Sequence, residues 1–329
     1  MVTACPTVEI LKEGAFSRVS SDWDSLLAAS YDTRFFLTST WHRLWWDHFG
    51  GGDGYFVTAR DGDALIGLLP LQILEGGIVT LTGDWNVSDY MDGLACRDDA
   101  QAILRALWET ALSDLPWRSL DLHHVPSGSP TIAVLGDLLG DRVQIEEEQV
   151  CPVALLCNSW DGYLQMLSKK QRHEIRRKLR RATDGAEWSY RTAATEDDID
   201  RDMPVFFRLH ELSAREKARF MTPDMRQYFV AVARTFLRAG NLRLSVFRRA
   251  GVDIAATMSF LYRDRYLLYN SGYDPSFAAH SPGIAAVALA MQQAIEEKAV
   301  AFDFLSGDEP YKYQFGATNT YTCRIRASR

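Results

Sequence analysis

Apolar positions along this chain change period repeatedly, and each change marks an element. Trp23 to Ser30, Thr40 to Phe49 and Asp99 to Leu112 carry apolar residues at helical spacing. "YFVTAR", "ALIGLLPLQIL" and "GIVTLTG" lie between the second and third of these and read as strands, and "RSLDLHH" follows as another. The second half runs in a similar order. "EWSYRTA" is expected as a strand, 198–212 and 223–238 as helices, and "LRLSVFRR", "DIAATMSFLYR" and "RYLLYNSGY" as three strands. A helix from Pro282 to Lys298 and a strand "AFDFL" complete the pattern.

A recurring order of strand, two helices, three strands, helix and strand implies a duplicated α/β domain. A length of 329 residues accommodates two cores. The join is expected near 141–160, where "QIEEEQV" leads into "CPVALLC", giving domains of 1–150 and 151–329.

Composition narrows the class. The five cysteines, at 5, 96, 151, 157 and 323, include no C-x-x-C pair, which argues against a disulfide framework or a structural zinc site and for a reducing cytoplasm. The first residues lack a basic and apolar leader, and no long uncharged apolar run predicts a membrane span. His123 and His124 are adjacent on an expected strand, so they face opposite ways; with no other cluster at ligand spacing, no metal is expected. A net charge of -7 argues against general nucleic-acid binding. Residues 168–181, "SKKQRHEIRRKLRR", break that rule, with eight cations against the single acid Glu174. Leu164, Leu167, Gln171, Ile175 and Leu179 keep one stripe largely apolar, so the segment reads either as an anion-recognition helix, with Arg172 and Arg176 among its contacts, or as a solvated face.

"HSPGIA", residues 280–285, follows the strand ending at Tyr273 and opens a helix. Ser281 suits the N-cap, Pro282 the first helical position, and Gly283 leaves the first turn open; free N–H groups there suit a phosphate, and an ordinary capped helix uses the same residues. The order of elements together with this stretch resembles the GNAT acyltransferase superfamily, whose pyrophosphate loop reads Arg/Gln-x-x-Gly-x-Gly/Ala. His280 departs from that pattern, while Gly283 and Ala285 match it. The resemblance implies cofactor contacts from His280, Ser281, Gly283, Ile284 and Ala285.

Six further segments in order, "FFLTSTWHRLWWDHFG", "LIGLLPL", "SDYMD", "YLQMLSKKQRHEIRRKLRR", "GYDPSFAAHSPG" and "FDFLSGDEPYKYQFG", resemble CelD-like acyltransferases, which are associated with polysaccharide biosynthesis. These are similar to the FemABX aminoacyltransferases, built of two GNAT-type domains in tandem. The implied fold is α/β (α+β), with two GNAT-like domains, each a mixed, mostly antiparallel sheet flanked by helices, the first degenerate and the second binding the donor.

Several roles follow from that resemblance. Gly307 turns the chain after "AFDFL", and Pro310 starts a short helix carrying Tyr311, Lys312 and Tyr313. Either tyrosine is a candidate general acid for a leaving thiolate, and Lys312 resembles the lysine of the FemABX Lys-x-x-Phe-Gly segment, a fixed charge for phosphate or carbonyl. The same residues also suit packing and a surface pair of Lys312 with Asp308 or Glu309. Asp89 and Glu309 are candidates for accepting the acceptor's proton. Tyr90, Asp92, His210 and Tyr273 are expected to line the acceptor side, although Asx-turn and packing roles suit the first domain's loop and a helical histidine. The implied reaction moves an acyl group from acyl-CoA, or from the phosphopantetheine of an acyl-carrier protein, to an amine of a small molecule or of a glycan or peptide precursor. Alternatives are aminoacyl transfer from a transfer RNA held at the basic helix 168–181, and a non-catalytic scaffold that retains the fold.

Overall fold

The computed structural model of this protein describes residues 6–51, 53–83 and 86–329. Cys5, and Asp84 and Trp85 of the polar loop 83–93, lie outside the described residues. The chain forms two compact units, Met1–Gln149 with Tyr321–Arg329, and Val150–Thr320. The expectation placed 151–329 together; Tyr321–Arg329 belongs instead to the first unit, where Ile325 is fully buried in the core and Arg324 grips Asp121 through two bonds of 2.7 Å.

In the first unit, strands Thr7–Lys12, Asp53–Asp61, Ala64–Leu74 and Ile78–Leu81 pair antiparallel in sequence order. Ile78 and Val79 then pair parallel with Ser119 and Leu120 of strand Ser119–Pro126, whose other edge takes residues 322–328 antiparallel. Helices cover both faces. Val57, Ala59, Leu69 and Leu71 pack toward the helices Ala100–Asp114 and Pro130–Leu139, while Phe56, Leu65 and Leu68 pack toward the helix Ser17–Ala29. Successive strand residues point to opposite faces, so burial on both sides makes "ALIGLLPLQIL" a continuous apolar run and not an alternation.

The second unit repeats the order. Strand Trp188–Thr192 pairs with Leu242–Arg249, that with Val252–Tyr262, and that with Arg265–Tyr273, all antiparallel. Arg265 to Leu267 then run parallel to strand Ala301–Asp303, which pairs antiparallel with residues 153–155. Helix Pro282–Glu296 covers one face; its alanines at 285, 286, 288, 290 and 294 are buried and let it lie close to the strands. Helices Glu196–Ser213 and Pro223–Arg238 cover the other, and a side chain on Gly272 would stand 2.3 Å from the backbone nitrogen of His210. Each unit is thus a mixed, mostly antiparallel sheet between helices, as the resemblance implied.

The strands Thr7–Lys12 and Thr318–Ser328, and the helices Pro130–Leu139 and Arg215–Phe220, had no counterpart in the reading of the sequence. "QIEEEQV" lies within a strand, Val143–Leu155. The basic segment is not continuous with Leu164: Ser168 and Gln171 form a reciprocal capping box that starts a new helix, Lys169–Thr183. Among the described residues no helix is long and apolar enough to cross a membrane, and no three His, Cys, Asp or Glu side chains gather as a metal-holding group.

Candidate active site

The parallel pairing of the second unit stops at Leu267 and Asp303. Beyond it, 268–273 continues along its antiparallel neighbour while the other chain turns away through Leu305, at φ 55, and Gly307, at φ 106. Only glycine adopts the second of these without strain. Two strands that part after a shared start open a cleft at the end of the sheet, the usual place for a ligand in an α/β sheet.

A cavity of about 270 Å³ occupies this divergence, lined by Ser271, Tyr273, Ala278, the stretch 281–284, Val287 and Tyr311. Of the residues expected there, Tyr273, Ser281, Gly283, Ile284 and Tyr311 meet in one place. Space beside Gly283 is tight, since a Cβ would lie 3.1 Å from the Tyr273 ring. Ser281 stands at the N-cap position, but in the left-handed conformation and with no side-chain bond to the first turn. That corrects its expected capping role and leaves the first turn open. Ala285 lies deeper, buried, its N–H spent on the Ser281 carbonyl at 3.1 Å. His280 lies outside the lining, its Nδ1 3.4 Å from the Arg181 carbonyl oxygen.

The helix Pro310–Gln314 separates the two tyrosines. Tyr311 reaches the cavity, its ring edge-on to Phe304, and burial, with the Glu309 carboxylate adding to it, pushes its phenol pKa up. The hydroxyl therefore keeps its proton at neutral pH. Tyr313 points elsewhere, and its carbonyl accepts a bond from Gln171 at 2.7 Å.

Lys312 is neither at the surface nor turned to the cavity. It is 2 % exposed, and its ammonium donates to the carbonyls of Ser306 and Gly307 at 2.8 Å each and meets Glu309 Oε2 at 2.9 Å. An ammonium has three N–H donors, and the loop takes them all. Its charge holds the turn that opens the cavity.

Behind the 265–273 strand, His210 is buried and hydrogen-bonded to Asn270. Burial, with Lys217 contributing, lowers its pKa to about 4, so the ring is neutral. Lys217, on a helix the sequence reading missed, donates to the Ser271 carbonyl at 2.6 Å, and burial lowers its pKa too. Nothing in the apolar pattern near 215–220 marked it. Arg172 bonds Gln165 at 2.9 Å, and Arg176 makes only a long, exposed pair of 3.5 Å with Asp161.

The matching divergence in the first unit is filled. Parallel pairing there stops at Val79, and residues 87–93 that follow in the chain are buried. Ser88 accepts from Trp41 Nε1 at 2.8 Å, and Met91 donates its N–H to the His124 carbonyl at 3.0 Å. Asp89 is buried, Tyr90 lies under the Arg34 guanidinium at 4.7 Å, and Asp92 accepts from Thr131 at 2.7 Å. Burial raises the Asp92 carboxyl to about 6.

Comparison places this architecture. Residues 169–313 match the acetyltransferase (GNAT) domain family. Among solved structures, FemX superposes with a TM-score of 0.66 at 10% identity, covering 93% of this chain and 95% of that one. The C-terminal domain (DUF2156) of a putative lysylphosphatidylglycerol synthetase from Agrobacterium fabrum gives 0.57 at 11% identity over 96% and 92%. A tandem GNAT protein from the clavulanic acid biosynthesis pathway gives 0.51 at 14% over 97% and 98%. No curated protein matches the sequence. The protein has the GNAT-superfamily, FemABX-related fold, two GNAT-like domains in tandem, and residues 169–313 match the acetyltransferase (GNAT) domain.

Proposed function

We propose that the protein moves an acyl group from a phosphopantetheine thioester, on coenzyme A or on a carrier, to an amine of a small molecule or of a cell-envelope or polysaccharide precursor. The cavity at the parting of 265–273 and 301–303 carries this reading, because it joins an open helix N-terminus to a protonated phenol. The N–H groups of Gly283 and Ile284 face the phosphate with the positive end of the helix dipole behind them. Ser271 and Tyr273 flank the amide-rich arm, and apolar contact from Ile284 and Val287 excludes water. The amine nitrogen attacks the thioester carbonyl carbon, the C–S bond breaks, and the departing sulfur takes the Tyr311 proton. Water returns that proton and removes the one the amine sheds.

An open helix N-terminus beside an apolar lining suits an arm with a phosphate at one end and a thioester at the other. The free thiols at 96, 151, 157 and 323 suit a reducing, cytoplasmic setting, and the likeness to CelD-like proteins supports a precursor acceptor. Acetyl transfer from acetyl-CoA or an acetylated carrier to a panel of amino sugars and amines, read by product mass, tests the reading. Tyr311→Phe is expected to lower kcat at least tenfold with donor Kd unchanged; equal turnover removes the general acid from this position.

A further inference from the structure

We propose that the donor arrives on an acidic carrier protein, whose phosphopantetheine arm enters the cavity while its body rests on the helix Lys169–Thr183. The proposal rests on the donor reading of the cavity and adds the partner that presents the thioester.

Position is the first observation. The helix packs, at both of its ends, against residues that adjoin the cavity lining. Gln171 and Lys178 bond the backbone of Tyr313 and the side chain of Gln314, at 2.7 and 2.9 Å, next to cavity-lining Tyr311. At its other end Ala182 packs with Phe277 and Ala285, beside the open first turn. A protein resting on this helix has its arm at the cavity's mouth.

Charge is the second. At 100° per residue, Lys169, His173, Arg176 and Arg180 fall within a wedge of roughly 60°. All are exposed, whereas Ile175 and Ala182 on the opposite side are buried. Among the described residues Lys169, Lys170 and Arg180 form no ion pair, and Arg176 has only its long pair with Asp161. A chain of net charge -7 that gathers bare cations on one helix face presents a docking surface for an anionic body.

The anion site itself is the third. Pro282 has no N–H and the Ala285 N–H is bonded to Ser281, so the first turn offers Gly283 and Ile284. Two donors suit the single phosphodiester that links phosphopantetheine to a carrier serine better than they suit the diphosphate and adenosine 3'-phosphate of free coenzyme. A nucleic acid is less well served: the cationic stretch is only about 18 Å long, and affinity for a polyanion scales with the number of phosphates neutralised.

Binding of an acetylated type II acyl-carrier protein is measured beside S-acetyl-4'-phosphopantetheine, acetyl-CoA and bulk transfer RNA, on the wild type and on the triple variant Lys169→Glu, Lys170→Glu, Arg180→Glu. The carrier is expected to bind at least tenfold tighter with its arm than without it. In the variant the ratio of carrier affinity to S-acetyl-4'-phosphopantetheine affinity falls at least tenfold, with the thermal midpoint unchanged. Acetyl-CoA binding with no carrier binding overturns the proposal while leaving the donor cavity standing, and so does a transfer RNA that outcompetes the carrier. Failure of S-acetyl-4'-phosphopantetheine, coenzyme and carrier alike overturns the donor cavity and the proposal together.

Discussion

His210 donates from Nε2 to the Asn270 side-chain oxygen at 3.0 Å, joining the helix 196–213 to the strand that forms one wall of the cavity. The bond leaves Nδ1 buried without a partner, and the ring stays neutral because a charge there would lack solvation.

That neutrality has a pH consequence. The folded pKa of about 4 lies below the ordinary 6.5, so the unfolded chain binds the proton more readily between those values. Stability is complete above pH 6.5 and falls toward pH 4, by about 3 kcal/mol for this group. His42, lowered to about 3 by burial, acts in the same direction, while Asp92, raised to about 6, opposes it between 3.8 and 6. Urea midpoints measured across pH 4 to 7 are expected to drop less steeply in His210→Gln; an unchanged slope assigns the drop elsewhere.

Lys312→Met should act on the fold before it acts on chemistry. Removing the ammonium leaves buried loop carbonyls without donors, a loss of about 1–3 kcal/mol. Chemical denaturation reads it directly. Wild-type stability combined with lost turnover would restore Lys312 to the reaction itself.

Gly272→Ala drives a methyl group into the backbone of the helix at His210, where the nearest atom is 2.3 Å away. Overpacking of this kind costs about 1–3 kcal/mol or more, and the thermal midpoint is expected to fall accordingly. An unaltered midpoint means the helix stands off from the strand.

Ile325→Ala tests the placement of the C-terminal strand. Its side chain is fully buried in the first unit's core, so truncation should lower stability by about 2–5 kcal/mol. A loss of only a few tenths would place that strand at the surface.

Much of this was legible in the apolar pattern because helices cover both faces of the central strands, which therefore read as apolar runs between short turns. The repeated order of elements, the helix after Tyr273 and the turn at Gly307 all came from local signals. The strand 318–328 escaped: it is polar and alternates weakly, with residues such as Thr320 and Arg324 facing out, so only its pairing with 119–126 reveals it. Local reading also grouped Lys312 with its tyrosine neighbours. Which of the three entered the cavity depended on the twist of a five-residue helix, a matter of packing against Phe304. Lys217 was invisible for a related reason, since its role comes from contact with Ser271 across 54 positions of sequence.

Calorimetric titration of S-acetyl-4'-phosphopantetheine into the wild type and into Gly283→Leu bears most directly on the cavity's role. The leucine projects into the space beside Tyr273, where even a Cβ is tight at 3.1 Å. One saturable site is expected in the wild type, weakened at least tenfold in the variant while the thermal midpoint holds. Equal binding by both proteins would mean that the arm lodges somewhere other than this cleft.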